Sequence, residues 1–180
     1  KLVHQLDGQG INVALVDTGI DPSHRSLVGR VKGCDALSEA YLKKPNVERD
    51  HGTHVAGIIG AQTIRDFADA GVAPKVTILS TRKTQTDDWC DMMRVATASN
   101  AHIVNISWGA TLDYYSEPLH LCEKNAFKDL ARAGKLIIKS AGNGGTSTAS
   151  APYVESLYNL ADEINSNPAI RGAMIIVMNV

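Results

Sequence analysis

The stretch INVALVDTG, residues 11–19, decides the fold class. Its apolar run ends at Asp17, just before a Thr-Gly pair, and so predicts a strand from Ile11 to Asp17. The nearly continuous Val, Leu and Ile content indicates that both faces of this strand are buried, as in a parallel sheet between helices. We therefore expect an α/β domain whose first strand carries a carboxylate to one edge of the sheet.

Runs of similar character recur along the chain, each followed by glycine or polar residues and then a helix-like segment. The predicted strands are Ile11–Asp17, Val31–Cys34, Val76–Arg82, Ile103–Ser107, Leu136–Ser140 and Ala173–Val180. The predicted helices are Thr53–Ile64, Asp87–Asn100, Glu117–Ala133 and Val154–Ile164, with Gly134 as the stop after the third. This alternation predicts a single domain over residues 1–180, with a mostly parallel twisted sheet between helix layers in a three-layer αβα architecture.

The composition is that of a soluble globular domain, with 44% hydrophobic and 21% charged residues. A net charge of -1 argues against nucleic acid or an anionic membrane surface as a partner. No apolar stretch reaches the roughly 20 residues of a membrane-spanning segment. The three cysteines are widely spaced and odd in number, so we expect small buried apolar side chains and infer no redox compartment from them.

The chemistry-bearing residues cluster at the predicted strand ends, where the loops of a parallel sheet converge. Asp17 ends the first strand, Ser107-Trp108-Gly109 follows a central strand, and Asn143 follows another. His51 opens the helix after the Arg49-Asp50 loop. An acid, a histidine and an amide are the parts of acyl-transfer chemistry, with only the nucleophile missing.

Five sequence motifs that include these residues resemble those of a known protein family. VALVDTGID at residues 13–21 and DHGTHVAG at residues 50–57 resemble the aspartate and histidine motifs of the subtilases, the subtilisin-like serine proteases. GVAP at 71–74, NISWG at 105–109 and SAGNG at 140–144 are similar to later motifs of the same family and follow in its order. The resemblance covers the chain from about residue 10 to residue 180 and implies a subtilisin-like fold.

The resemblance implies a serine endopeptidase that hydrolyses polypeptide substrates through an acyl-enzyme. Asp17 would orient the imidazole, His51 would be the general base and acid, and Asn143 would stabilise the oxyanion. Ser107, Trp108 and Gly109 would pair with an extended substrate and form a wall of its pocket. Gly52 and the Thr53-His54 pair would pack the histidine helix against the sheet.

The nucleophile is where this sequence departs from the family. The family serine lies in a Gly-Thr-Ser-x-Ala motif several tens of residues beyond the oxyanion asparagine, so we expect it downstream of Val180. The 180 residues would then be a truncated catalytic domain, inactive alone and prone to self-association through exposed apolar surface. Ser147 lies in a local match to that motif, but only four residues after Asn143, where one loop would have to supply both groups.

The segment from Gly144 to Gly172 is better interpreted as a variable loop. It resembles the insertion of subtilases from bacterial autotransporters, which favours an exported bacterial protein. The less favoured alternative, Ser147 as the nucleophile, stays open.

Other functions fit these residues less well than a protease does. His51 and His54 have no third ligand at a metal-binding spacing, and the acidic cluster from Asp87 to Asp91 suits a helix N-terminus better than calcium. No cofactor is required, and a structural calcium is compatible with the family but unsupported by residues 62–71. A non-catalytic pseudoprotease or peptide-binding α/β module is the main alternative, and a nucleotide-binding domain is a weaker one.

Overall fold

The computed structural model describes residues 6–45, 47–63, 70–108, 117–141 and 164–177. Within these ranges six strands form one sheet, in which all neighbouring strands are parallel and the order is β2-β3-β1-β4-β5-β6. The strands are β1 (Asn12–Val16), β2 (Val31–Gly33), β3 (Thr77–Ser80), β4 (Ile103–Ile106), β5 (Leu136–Ser140) and β6 (Met174–Val177). The helices are α1 (Ala36–Leu42), α2 (Asp50–Gly60), α3 (Trp89–Ala98), α4 (Glu117–Arg132) and α5 (Pro168–Ala173).

The central strand β1 is buried on both faces, and its alternate residues face two separate cores. Val13 and Leu15 belong to the core that includes Ala56 of α2. Ala14 and Val16 belong to the other core, which α3, α4 and α5 cover through Met92, Met93, Phe127, Leu130 and Ile170. Burying each large apolar side chain contributes about 1.5–3 kcal/mol. The predicted α/β class and three-layer αβα architecture are confirmed.

Strand β1 lies between β3 and β4, where the order of the sheet reverses. The chain leaves β1 toward β3 and β2 on one side and later returns to add β4, β5 and β6 on the other. Loops that leave such neighbouring strands in opposite directions open a crevice at their carboxyl ends. This topology places the residues after β1 and the residues after β4 at the same crevice.

The six predicted strands are all present, and four of them are shortened by one to three residues. Residues 178–180 of the last predicted strand lie outside the described residues. Helix α2 begins at Asp50 rather than Thr53 and ends at Gly60, so it starts before the histidine. Helices α1 and α5 were not predicted, although both carry start signals. Asp35 and Ser38 form a capping box at α1, and Asn167 precedes a proline at α5. Residues 154–163 of the last predicted helix lie outside the described residues.

Helix α4 ends just before Gly134, the residue that was predicted to stop it. Gly134 adopts a φ of 69°, in the left-handed region. The amide of Gly134 donates to the carbonyl of Ala131 at 3.0 Å, and the amide of Lys135 donates to the carbonyl of Leu130 at 3.1 Å. This is the closing pattern of a helix that terminates on glycine.

Two of the cysteines are bonded to each other, contrary to our expectation for them. Cys90 of α3 and Cys122 of α4 form a disulfide, with their Cα atoms 6.1 Å apart. The sequence separation of 32 residues gave no sign of this pairing, because only the packing of α3 against α4 brings them together. Cys34 remains a free thiol, partly buried against the core.

Cys34 is expected to resist alkylation in the folded protein. Burial raises the pKa of its thiol to about 12, from an ordinary value of 9.0. The difference of three units lowers the thiolate fraction about 10³-fold near pH 8, and the thiolate is the reacting species. Mass mapping after brief iodoacetamide treatment at pH 8 should therefore find Cys34 modified in urea and unmodified in buffer. Equal modification in both would contradict the buried environment.

Candidate active site

Asp17 lies directly after β1 with its carboxylate buried, and it contacts His51. The side chain is 2% exposed, and its Oδ1 lies 2.7 Å from Nδ1 of His51. The backbone amide of Thr18 donates to the same oxygen at 2.7 Å. One carboxylate oxygen therefore both accepts a hydrogen bond from the backbone and contacts the imidazole.

His51 reaches this carboxylate because α2 approaches the loop after β1 very closely. The amide of Gly52 donates to Oγ1 of Thr18 at 3.0 Å. A Cβ at position 52 would lie 2.1 Å from the carbonyl oxygen of Gly19, so only glycine fits there. Gly19 itself has a φ of 108°, a backbone conformation that residues with a side chain rarely adopt. The two glycines thus set the distance between the acid and the histidine.

Arg49 anchors the start of α2, a role that the sequence did not reveal. Its buried guanidinium donates to the carbonyls of Tyr41, Leu42 and Lys44 at 2.6, 3.3 and 2.9 Å. These carbonyls lie at the end of α1, where helices leave acceptors without partners. Arg49 therefore joins the end of α1 to the residue just before the histidine helix.

Thr53 binds the loop after β1, whereas its neighbour His54 is exposed. Oγ1 of Thr53 accepts a hydrogen bond from the amide of Asp21 at 2.8 Å, which ties α2 to the β1 loop as predicted. His54 is exposed instead of packed against the sheet, although it lies only three residues after His51 on the same helix. It lines a separate cavity with Asp21 and His24. The prediction that His54 packs on the sheet was wrong.

Asp17 and His51 share a cleft of about 440 Å³ with residues from the end of β4. The rings of Trp89 and Trp108 stack there with their centroids 3.6 Å apart. The residues that line this cleft are Asp17, Thr18, His51, Arg82, Trp89, Ser107 and Trp108. The structure therefore brings four of the predicted site residues to one place: the acid, the histidine and the first two residues of the substrate segment.

The geometry favours proton transfer at His51. One ring nitrogen is engaged by the buried carboxylate, and the side chain is still 55% exposed toward the cleft. A carboxylate at Nδ1 favours the tautomer with its proton on that nitrogen, which leaves Nε2 free to accept one. The negative charge also stabilises the imidazolium that forms when Nε2 is protonated. The pair is thus suited to act as a general base toward a group placed in the cleft.

Three predicted residues fall outside this description, and several lining residues were missed. Gly109, Asn143 and Ser147 lie outside the described residues, so their roles stay predictions. Arg82 and Trp89 were not assigned to the site, since each lies far in sequence from the motifs. Among the described residues, no group of three His, Cys, Asp or Glu side chains could hold a metal ion. The described helices include none long and apolar enough to cross a membrane.

Comparison with known proteins agrees with this geometry. The sequence model of the Subtilase family matches residues 8–180. The chain belongs to the subtilase family. It is 35% identical over 150 residues to a thermophilic serine proteinase from Bacillus sp. (strain AK1), a match that covers 79% of this chain and 35% of that protein.

Two further relatives extend the comparison. Thermitase from Thermoactinomyces vulgaris is 29% identical over 170 residues, which cover 89% of this chain and 58% of thermitase. The crystal structure of fervidolysin from Fervidobacterium pennivorans, a keratinolytic enzyme related to subtilisin, superposes with a TM-score of 0.61 at 28% identity. That match covers 87% of this subtilase chain and 24% of fervidolysin. The subtilase chain thus spans about a third to three fifths of the curated relatives' length.

Proposed function

We propose that this subtilase chain supplies the acid–base half of a serine endopeptidase of subtilisin type. The observation that carries the proposal is the 2.7 Å contact between the buried Asp17 carboxylate and the half-exposed His51 imidazole. The cleft in which they lie also contains Ser107 and Trp108, the segment expected to bind substrate. Membership of the subtilase family supports the same reaction class.

In the proposed mechanism His51 transfers one proton in each half of the reaction, first from the serine to the leaving amine and then from water to the serine oxygen. Its Nε2 accepts the proton of the serine hydroxyl as the serine oxygen attacks the substrate carbonyl, and the imidazolium is stabilised by Asp17. The proton then passes to the leaving amine as the peptide C–N bond breaks and the acyl-enzyme forms. Water hydrolyses the acyl-enzyme by the same route. The side-chain amide of Asn143 would donate to the oxyanion in both steps.

We propose that the serine follows Val180 and that residues 1–180 are part of one catalytic domain. Because the chain spans 35% of one relative and 58% of another, both relatives have room for a segment that this chain does not contain. The substrate would be a polypeptide in extended conformation, paired with the backbone of Ser107, Trp108 and Gly109 as an added strand.

Labelling with a fluorophosphonate probe, followed by peptide mapping, tests this proposal. The probe phosphonylates a serine hydroxyl that a nearby base has activated. We expect no modification of residues 1–180 alone and labelling of a single downstream serine in the full-length protein. Modification at Ser147 would overturn the placement of the nucleophile. Absence of labelling in both proteins would support the peptide-binding alternative.

Two histidine variants make the same experiment specific. His51→Ala should abolish labelling of the full-length protein, since the serine loses its base. His54→Ala is the matched control, because His54 lies one turn along the same helix but lines a different cavity. Equal loss of labelling in both variants would indicate damage to α2 rather than loss of a base.

We also propose that residues 1–180 self-associate when isolated. Strand β6 lies at the end of the sheet, and its Ile175, Ile176 and Val177 are 50%, 40% and 54% exposed. An apolar outer strand is a template for pairing with a second chain. Sedimentation velocity should show a dimer or larger species that Val177→Lys reduces, while Ile58→Lys, at an exposed position on α2, leaves it unchanged. A clean monomer over a wide concentration range would contradict this.

We propose that the protein is exported. The Cys90–Cys122 disulfide supports this, since such bonds persist mainly in oxidising compartments. The relatives include one protease named as extracellular and one named as intracellular, both from Bacillus subtilis. The autotransporter branch stays a prediction, because residues 144–163 of the loop that suggested it lie outside the described residues.

A further inference from the structure

Lys139 is a lysine buried in the middle of a sheet strand. The residue is 1% exposed, and it follows the three apolar residues that begin β5. Lysine is almost never fully buried unless its ammonium has partners, because removing the charge from water is costly. The position therefore calls for an explanation in terms of what the ammonium contacts.

Within the described part of the chain, the ammonium of Lys139 donates to two backbone carbonyls at the ends of neighbouring strands. It donates to the carbonyl of Trp108, two residues beyond β4, and to the carbonyl of Ser140 at 3.0 Å. Lys139 pairs with Ile106 in the register of β4 and β5, so its side chain starts beside the last residue of β4. Hydrogen bonds from a charged donor are among the stronger ones in proteins. The lysine thus holds the chain just where it leaves β4.

This segment forms a wall of the cleft. The indole of Trp108 stacks on that of Trp89, and both rings line the cavity that contains His51. A shift of the Trp108 backbone would move the indole and the backbone of Ser107 together. We propose that Lys139 is a positioning residue, whose ammonium fixes the Ser107–Trp108 segment and so sets the substrate-binding wall of the cleft. The substrate part of this inference rests on the proposed function.

The same strand provides a matched control. Lys135 directly precedes β5, and its ammonium also donates to two backbone carbonyls, those of Ser99 and Ala101 at 2.7 and 2.8 Å. These contacts lie at the opposite end of the sheet from the cleft. Loss of Lys135 therefore removes a similar pair of lysine-to-carbonyl hydrogen bonds between described residues without touching the cleft wall.

The two tryptophans give a direct readout of the wall. The chain contains two tryptophans, Trp89 and Trp108, and both belong to the stack. Indoles this close couple their electronic transitions, so we expect an exciton couplet in the far-ultraviolet circular dichroism. Trp89→Phe should remove the couplet and thereby identifies it. This signal requires neither a nucleophile nor a substrate.

Lys139→Met should reduce the couplet by more than half, whereas Lys135→Met should leave it unchanged. We expect Lys139→Met to bind the probe peptide acetyl-Ala-Ala-Ala-Phe-amide about tenfold more weakly than the wild type, equivalent to about 1.4 kcal/mol. Calorimetry measures this affinity. Lys135→Met should bind as the wild type does. Lys139→Arg, which keeps a charged donor, should retain most of both signals.

An unchanged couplet in folded Lys139→Met would overturn the proposal, as would an equal loss in Lys135→Met. If Lys139→Met does not fold, Lys139→Gln takes its place, since an amide can still donate to one carbonyl and should give an intermediate couplet. A wild-type chain that binds no peptide would count against the proposed function. The couplet would still decide on Lys139 in that case.

Discussion

Asp17→Asn is expected to lower kcat for the proposed peptide hydrolysis by the full-length protein about 10⁴-fold, equivalent to about 5.4 kcal/mol of transition-state stabilisation. The amide fits the same space and can still accept from Thr18, so the fold should be kept. The charge that stabilises the imidazolium is lost, however, and an amide NH₂ turned toward Nδ1 favours the wrong tautomer. The measurement is kcat on a chromogenic peptide, with KM recorded separately.

Asp21→Asn is the control for that prediction. Asp21 belongs to the same motif, but it lines a different cavity from the one that contains Asp17 and His51. A hydrogen bond from the hydroxyl of Ser23 lowers the pKa of its carboxylate. Its loss should change kcat less than threefold, because exposed polar contacts contribute little to a remote site. A similar loss of rate in both variants would contradict the role proposed for Asp17.

Gly52→Ala is expected to destabilise the folded chain by at least about 3 kcal/mol, a cost at the upper end for overpacking. The added Cβ would lie 2.1 Å from the carbonyl oxygen of Gly19 and 3.2 Å from Oδ1 of Asp17. The first obstacle is backbone, so α2 must move away from the β1 loop. Urea unfolding followed by circular dichroism at 222 nm measures the change in the midpoint.

Gly57→Ala, on the same helix, should have the opposite sign. No described atom lies within 4 Å of a Cβ built at position 57. Alanine should therefore stabilise the helix by about 1 kcal/mol, the difference in helix propensity between the two residues. If Gly52→Ala unfolds at the same urea concentration as the wild type, the close approach of α2 to Gly19 does not exist in solution.

The fold could be predicted from the sequence because its signals are local. Each buried strand is a short apolar run, and Asp17 and His51 occupy turn and helix-start positions that the motifs mark. The sheet order explains their meeting, since the chain reverses direction beside β1. The start of α2 was misplaced by three residues because Arg49, and no side-chain cap, precedes it.

The features that the sequence did not reveal all depend on contacts between distant residues. Trp89 meets Trp108 across 19 positions, and Lys139 meets the carbonyl of Trp108 across 31. From the sequence alone, a lysine within an apolar strand has no evident role. Its contact becomes clear only from the register between β4 and β5. The disulfide is of the same kind, since it follows from the packing of two helices that the sequence predicts but does not orient.

The disulfide also affects how much sequence change the domain can tolerate. Closing a loop across 32 positions restricts the unfolded chain and is worth about 4 kcal/mol on the chain-entropy estimate. Typical domains are stable by about 5–15 kcal/mol, so this one bond can equal several ordinary destabilising substitutions. A lineage that keeps Cys90 and Cys122 joined can accumulate mutations elsewhere that would unfold a reduced chain. The redox state of its surroundings would then set the rate at which this sequence can diverge.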